Sequence, residues 1–60
     1  MKNLLTSNVH FYTAKLDSKK ISVIQENEEI EQGYIEEISE VSIKIKNSWF
    51  FKNACEFYLV

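Results

Sequence analysis

The side chains that could do chemistry in this sequence are few and far apart. The chain has one cysteine, Cys55, and one histidine, His10, and neither has a partner acid, base or nucleophile at a catalytic spacing. A single cysteine cannot form an internal disulfide, and it cannot complete a zinc site with only one histidine. We therefore predict that the chain is not an enzyme and has no cofactor and no metal site. Cys55, which lies between Ala54 and Glu56 close to the apolar Phe57, is interpreted as a buried core thiol.

Charged residues are grouped along the chain. Glutamates fill the middle, and lysines precede and follow them: Lys15, Lys19, Lys20; Glu26, Glu28, Glu29, Glu31, Glu36, Glu37, Glu40; Lys44, Lys46, Lys52. The net charge of −2 gives no overall attraction to nucleic acid. The glutamates lack the alternating Asx–Gly pattern of a calcium loop, so they indicate a solvated acidic turn.

The aromatic run Trp49-Phe50-Phe51 and the lysine that follows it each allow two interpretations. The run is either an exposed platform for nucleic-acid bases, or, as is commoner, a strand with two rings in the core and one at an interface. Lys52 is either a nucleic-acid contact or a solvated lysine that discourages strand aggregation.

The elements that must position these residues can be read from hydrophobic periodicity. Leu5, Val9, Tyr12 and Leu16 recur in steps of four, three and four, which places them on one face of a short helix within residues 1–18. Ser7 or Asn8 can cap the start of that helix, and it is expected to end near Asp17-Ser18.

From Lys20 onward the period changes to two, and residues 20–60 predict five short strands. Asn27 is expected in the first turn and Asn47-Ser48 in a later tight turn. Gly33 interrupts the second strand, where we expect a bulge or a sharp bend. The chain is thus predicted to be a single domain, residues 1–60, of the mostly β (α+β) class, with a strongly bent SH3-like barrel after one helix.

The last predicted strand, CEFYLV, carries apolar residues on both faces. Such a strand is a poor solvent-exposed edge, and pairing with the fourth strand of a neighbouring copy would close a ring. The predicted interface residues are Phe50, Phe57, Tyr58 and Val60. The alternative is that this strand completes a monomeric barrel.

Three short patterns resemble the Sm-like RNA chaperone family Hfq. They are Gly33-x-Ile35, then Ile43-x-Ile45-Lys46-Asn47, then Phe51-Lys52-Asn53-Ala54, within a resemblance that covers residues 11–60. The resemblance implies an Sm-like barrel with a short N-terminal helix, assembled as a homo-oligomeric ring such as a hexamer. It also implies uridine-rich RNA as the ligand and a role in post-transcriptional regulation.

The resemblance also assigns RNA-binding positions. Phe51, Lys52 and Asn53 match the motif whose side chains contact base and phosphate, and Glu40-Val41 match the pair that contains the stacking aromatic residue. Because valine replaces that aromatic ring, RNA binding is expected to be weakened. Lys52→Ala is expected to abolish RNA binding with little effect on thermal stability.

Two further surfaces follow from the resemblance. Ile24 and Glu28 occupy positions of the family's second RNA-binding face, where the glutamates would repel a polyanion. Adenine-rich binding is therefore not expected there. The lysines Lys15, Lys19 and Lys20 offer a partial substitute for the family's basic rim.

The sequence thus leaves two functions open. One is a divergent Hfq-like RNA-binding ring, and the other is an Sm-like or SH3-like module that binds a protein partner as a small regulator or inhibitor, without RNA. The sequence shows no signal peptide and no apolar run long enough to span a membrane, so a cytoplasmic location without a membrane partner is expected.

Overall fold

The computed structural model describes residues 3–60 as one helix and six strands. In chain order they are β1 (Asn3–Leu4), α1 (Asn8–Leu16), β2 (Lys20–Gln25), β3 (Glu28–Ile38), β4 (Ser42–Ile45), β5 (Ser48–Phe51) and β6 (Glu56–Leu59). The strands form one antiparallel sheet in the order β1-β6-β2-β3-β4-β5. The predicted mostly β fold, with one short helix before five strands, is confirmed. The short strand β1 was not predicted.

Strand pairing within residues 3–60 leaves the sheet with two edges, because its order begins with β1 and ends with β5. Barrel closure therefore stays a prediction. No helix in this part of the chain is long and apolar enough to cross a membrane.

Local capping fixes both ends of helix α1. Ser7 is extended and its side chain accepts a hydrogen bond from the His10 N–H at 3.4 Å, as an N-cap residue does. At the other end Ser18 adopts a left-handed conformation with φ 52°. There the Lys19 N–H donates to the Ala14 carbonyl at 2.9 Å and the Ser18 N–H to the Lys15 carbonyl at 3.2 Å. This bond pattern is a Schellman motif, which turns the chain directly into β2.

The helix buries a different face from the one that its apolar periodicity marks. Phe11 and Ala14 are buried, whereas Val9, Tyr12 and Leu16 are 71%, 55% and 85% exposed. Phe11 decides the orientation, because its ring packs edge-to-face against Phe57 of β6 with the centroids 5.4 Å apart.

The two hairpins have two-residue turns with left-handed backbone at both positions. Glu26 and Asn27 have φ 52° and 67°, and Lys46 and Asn47 have φ 52° and 64°. This geometry matches the twist of the flanking strands. Asn27 is confirmed as a turn residue. The second turn lies one residue earlier than predicted, because Ser48 already pairs with Ile45 as the first residue of β5.

Strand β3 changes its partner in mid-length. Its first part pairs with β2 as far as Tyr34, and its second part pairs with β4 from Ile35 onward. Register shifts occur opposite Val23/Ile24 and between Ile35 and Glu37. Gly33 lies between these shifts, next to the change of partner, and pairs regularly with Ile21. The change of partner is thus next to Gly33, but the bulges flank this residue, so the bulge expected at Gly33 itself is not found there.

The reason for a glycine at position 33 is a close approach of β4. A Cβ atom at this position would lie 2.9 Å from the Cγ2 atom of Ile45, closer than real Cβ contacts. Ile45 is fully buried, so it has little room to move aside. The missing side chain therefore lets the two strands pack.

The core is small and draws on the helix and most of the strands. Its buried apolar members are Leu5, Phe11, Ala14, Ile21, Val23, Ile35, Ile43, Ile45 and Phe57. Ile38, Phe50, Cys55 and Leu59 pack against it and are partly buried. Two buried serines are satisfied by side-chain hydrogen bonds: Ser22 donates to Glu29, and Ser42 bonds with Ser39.

Gly33→Ala is expected to lower the free energy of unfolding by about 1–3 kcal/mol, because the added methyl overlaps Ile45. Gly33→Val should cost more. In an Ile45→Leu background, which removes the Cγ2 methyl, Gly33→Ala should cost much less. Urea unfolding of the four proteins of this cycle measures the coupling. Equal costs of Gly33→Ala in both backgrounds would contradict the close-approach explanation.

Candidate nucleic-acid interface

The fold brings together the five positions that the resemblance assigns to RNA. Glu40 and Val41 lie in the turn between β3 and β4, and Phe51, Lys52 and Asn53 lie at and just after the end of β5. A backbone hydrogen bond of 2.8 Å from the Lys52 N–H to the Val41 carbonyl joins the two segments. The sequence-derived grouping therefore corresponds to one corner of the molecule.

Most side chains at this corner are open to solvent. Val41 is 60% exposed and Phe51 is 56% exposed, and Glu40 and Asn53 are also exposed. Lys52 is the exception, because it is half-buried. The corner thus offers an apolar surface with one carboxylate and one amide beside it.

The ammonium group of Lys52 points into the protein and forms hydrogen bonds there. Its Nζ donates to the Asn8 Oδ1 at 2.6 Å, to the Ser39 carbonyl at 2.7 Å and to the Glu40 carbonyl at 3.3 Å. It also lies 5.3 Å from the centroid of the Phe11 ring. Three acceptors match the three N–H donors of a lysine. Lys52 thus ties the first turn of α1 to the β3–β4 turn.

This geometry argues against the expectation that Lys52→Ala has little effect on thermal stability. A cation with three hydrogen bonds is costly to remove, since its acceptors lose their partner. The inward position also removes Lys52 as a solvated lysine guarding the edge of β5.

A cleft of about 310 Å³ opens beside Lys52, between the start of the helix and the sheet. Its lining includes Leu4, Asn8, Glu40, Cys55 and Glu56. The two carboxylates beside the ammonium disfavour entry of a phosphate. Burial raises the pKa of the Cys55 thiol above its ordinary value. Cys55 is accordingly a packed thiol and not an activated nucleophile.

The aromatic run of β5 is more exposed than its expected role in the core requires. Trp49 is 46% exposed and Phe51 is 56% exposed, whereas only Phe50 packs against the core. Phe50 pairs with the buried Ile43, so its neighbours in the strand must face the other side. The interpretation with two rings in the core is therefore wrong, and Trp49 and Phe51 form an exposed pair that we call the aromatic surface.

The exposed platform is the rarer of the two interpretations that the sequence allows, although alternation along one strand lets only every second ring face the core. A turn at Lys46-Asn47 sets Phe50 opposite Ile43 and so fixes which rings face outward. Lys44 pairs with Trp49 in register, and its Nζ lies 5.9 Å from the indole centroid. The same Nζ is 3.4 Å from a carboxylate oxygen of Glu37. The Lys44 ammonium therefore lies next to the aromatic surface, but it also pairs with the Glu37 carboxylate.

The predicted basic rim is exposed. Lys15 lies in the last turn of α1, and Lys19 and Lys20 lead into β2. The acidic region is exposed apart from Glu31, which is half-buried. Glu26, Glu28 and Glu29 are exposed at and beside the hairpin tip, and the Glu29 carboxylate also accepts hydrogen bonds from Ser22 and Gln32.

The carboxylate of Glu31 interacts with Gln32 and Lys46. One of its carboxylate oxygens accepts a hydrogen bond from the Gln32 N–H at 3.0 Å and lies 3.4 Å from the Lys46 Nζ. The backbone hydrogen bond is the main cause that holds the pKa of this carboxyl below its ordinary value. Side chains of the acidic middle of the sequence therefore form contacts between β2 and β3 and between β3 and β4, in addition to forming a solvated surface.

The four predicted interface residues occupy different environments. Phe57 is 1% exposed and packs in the core, so its side chain is not available to a neighbouring copy. Phe50 and Tyr58 are half-buried, and Val60 is 71% exposed. Strand β6 itself is not an edge, because β1 pairs with one side of it and β2 with the other.

Comparison with known proteins adds no relative. No family model, no curated protein and no solved structure matches the chain. Within residues 3–60 no group of His, Cys, Asp and Glu side chains is placed to hold a metal ion. His10 lies in the first turn of α1, where its Nδ1 accepts a hydrogen bond from the Thr6 N–H at 3.2 Å.

Lys52→Ala is expected to lower the free energy of unfolding by about 1–3 kcal/mol, because it removes three hydrogen bonds to a charged donor. Lys19→Ala is the matched control, since Lys19 is exposed and such substitutions usually change stability by less than about 0.5 kcal/mol. Thermal melts followed by circular dichroism compare the two variants. The same melting temperature for both would show that the Lys52 network adds nothing.

Alkylation of Cys55 by iodoacetamide is expected to be slower in the folded protein than in urea at the same mildly alkaline pH. A raised thiol pKa leaves less thiolate, which is the reactive form. The rate in the folded protein should therefore rise at higher pH than in the unfolded chain. By linkage, the stability from the raised pKa is fully present below the unfolded thiol's pKa and is lost as the pH rises through the folded value. Identical rate–pH profiles would contradict this assignment.

Proposed function

We propose that this chain binds single-stranded RNA through the aromatic surface of β5. The observation that carries the proposal is the exposure of Trp49 and Phe51 on the same side of the strand. Flat rings at alternate positions of a strand can stack successive bases, because every base has a π-face. The resemblance to Hfq supports the proposal at Phe51 and names uridine-rich RNA as the first ligand to test.

The neighbours of the aromatic surface supply limited further recognition. Asn53 is exposed beside Phe51, and its side-chain amide can both donate to and accept from a base edge. Lys44 can reach a phosphate if it exchanges its partner Glu37. This role differs from the one that the resemblance gives to Lys52, whose charge the fold already uses.

The charges of the protein determine how tightly RNA is expected to bind. The protein has a net charge of −2, and Glu37 and Glu40 lie near the aromatic surface. Few phosphates can be neutralised, so affinity should be modest and only weakly dependent on salt. Post-transcriptional regulation of the RNA-chaperone type remains the proposed biological setting, since the resemblance implies it.

We also propose that several copies of the chain assemble into a ring. Ring assembly requires a rearrangement of β1. Pairing of β6 with β5 of a neighbour requires an open side of β6. That side is paired with β1 through Asn3↔Leu59 and Leu4↔Tyr58, and the Leu5 N–H donates to the Phe57 carbonyl at 2.8 Å. Ring assembly, as a hexamer or at another size, would thus require β1 to leave β6.

The second candidate is a protein-interaction module without RNA. The observation that favours it is the open edge of β5, which carries exposed aromatic residues of the type enriched in protein interfaces. A small regulator or inhibitor could present such an edge to its target.

Binding of a short uridine-rich RNA should quench the fluorescence of Trp49, the only tryptophan in the chain. Phe51→Leu is expected to weaken binding by about 5- to 150-fold, since stacking contributes about 1–3 kcal/mol per base. It leaves Trp49 in place as the reporter. Anisotropy of a labelled RNA gives the same affinity independently, and there Trp49→Leu can be tested as well.

Tyr12→Leu is the matched control, because Tyr12 is 55% exposed, like Phe51, but lies on the helix. It should bind RNA as the parent protein does. Equal weakening by Tyr12→Leu and Phe51→Leu would argue against a site on β5. If no RNA of any composition binds, the RNA proposal fails and the protein-interaction candidate takes its place.

A further inference from the structure

Strand β5 is an edge strand whose backbone is open on one side. The hydrogen bond from the Lys52 N–H to the Val41 carbonyl, with the β4–β5 register, fixes which residues bond to β4. Bonded and non-bonded pairs alternate in antiparallel sheets, so Phe50 and Ser48 direct their backbone groups toward β4. Trp49 and Phe51 then direct theirs to the open side. The Phe51 carbonyl there already accepts from the Ala54 and Cys55 N–H groups.

Apart from the bonds to the Phe51 carbonyl, this edge lacks the features by which natural edge strands avoid pairing. Residues 48–51 read Ser-Trp-Phe-Phe, with no charge, no proline and no glycine. Pairing between β4 and β5 is regular, without a bulge. Lys52, the nearest lysine in the chain, points inward to Asn8 and Ser39. An uncharged, regular, aromatic edge is a template for pairing with another strand.

The opposite edge of the sheet is different. It is formed by β1, which has two residues in the described part of the chain and covers β6. So short an edge strand is itself a common protection against pairing. The sheet therefore has one edge suited to pairing, and a sheet of this kind can join one other copy but cannot continue to grow.

We propose that two copies of this chain pair through β5, antiparallel, about a two-fold axis beside Trp49. The Trp49 N–H of each copy donates to the Trp49 carbonyl of the other, and the two indole rings lie next to each other on the same face. A second copy is the occupant that fits, because the edge is neutral and self-complementary and residues 3–60 form only one such edge. The aromatic surfaces of the two copies then become continuous.

The interface expected from this pairing is small. On each copy it consists of the Trp49 N–H and carbonyl, the Phe51 N–H and the exposed parts of two rings. That is less than the surface buried in a typical stable complex, so the dimer should dissociate at low micromolar concentration. The inference does not rest on RNA binding, since pairing uses the edge of β5 and stacking uses its face.

Sedimentation equilibrium of the protein alone, from low to high micromolar concentration, tests the pairing. The expected result is a reversible monomer–dimer equilibrium. A monomer at every concentration would overturn the proposal. A larger, ring-sized particle would overturn it as well and would support the ring.

Charge reversal at position 49 tests the position of the axis. Trp49→Lys and Trp49→Glu each place like charges opposite each other in the dimer, so each variant alone should dimerise at least about tenfold more weakly than the parent. An equimolar mixture of the two variants should regain the dimer, because opposite charges then meet. Circular dichroism melts confirm that each variant is folded. Folded variants that still form homodimers, or a mixture that stays monomeric while the parent dimerises, would overturn the Trp49 pairing.

Discussion

The close packing of Ile45 over Gly33 is the contact on which the sheet depends. At this point β3 leaves β2 and begins to pair with β4, so one long strand serves both halves of the sheet. A side chain at position 33 would hold β4 away, and the core residues Ile43 and Ile45 would lose their contacts. The hairpin β4–β5 would then lose its support, and with it the placement of Trp49 and Phe51. The chain uses its one glycine here, while residues with side chains adopt left-handed backbone in the turns.

The corner that holds the candidate site combines two kinds of residue with separate tasks. Lys52 joins the helix to the β3–β4 turn through Asn8 and Ser39, so it determines the shape of the corner from inside. Trp49 and Phe51 face solvent and are not needed to fill the core. A ligand would therefore meet rings whose positions are fixed by a cation that it does not touch. Substitutions at the two kinds of residue should separate stability from binding, which makes the proposed function accessible to experiment.

Much of the architecture could be predicted from the sequence, because period-two alternation and turn residues are local signals. The helix, the five main strands and Asn27 in the first turn followed from such signals. The exposed face of the helix did not, since the long-range contact between Phe11 and Phe57 outweighs the periodicity of Val9, Tyr12 and Leu16. Strand β1 is too short to have a periodicity. At the candidate site the grouping of residues was predictable, but the inward turn of Lys52 depends on acceptors distant in sequence.

The central place of Phe57 has a consequence for how the chain acquires its structure. This residue is near the end of the sequence, yet it packs against Phe11 and lies in a strand flanked by β1 and β2. Contacts between such distant segments make folding slow relative to helical proteins of the same size. During synthesis the core cannot assemble until residues 56–59 have left the ribosome. Until then Ile43 and Phe50 lack the part of the core that Phe57 supplies, and exposed apolar strands of this kind make a nascent chain prone to aggregate.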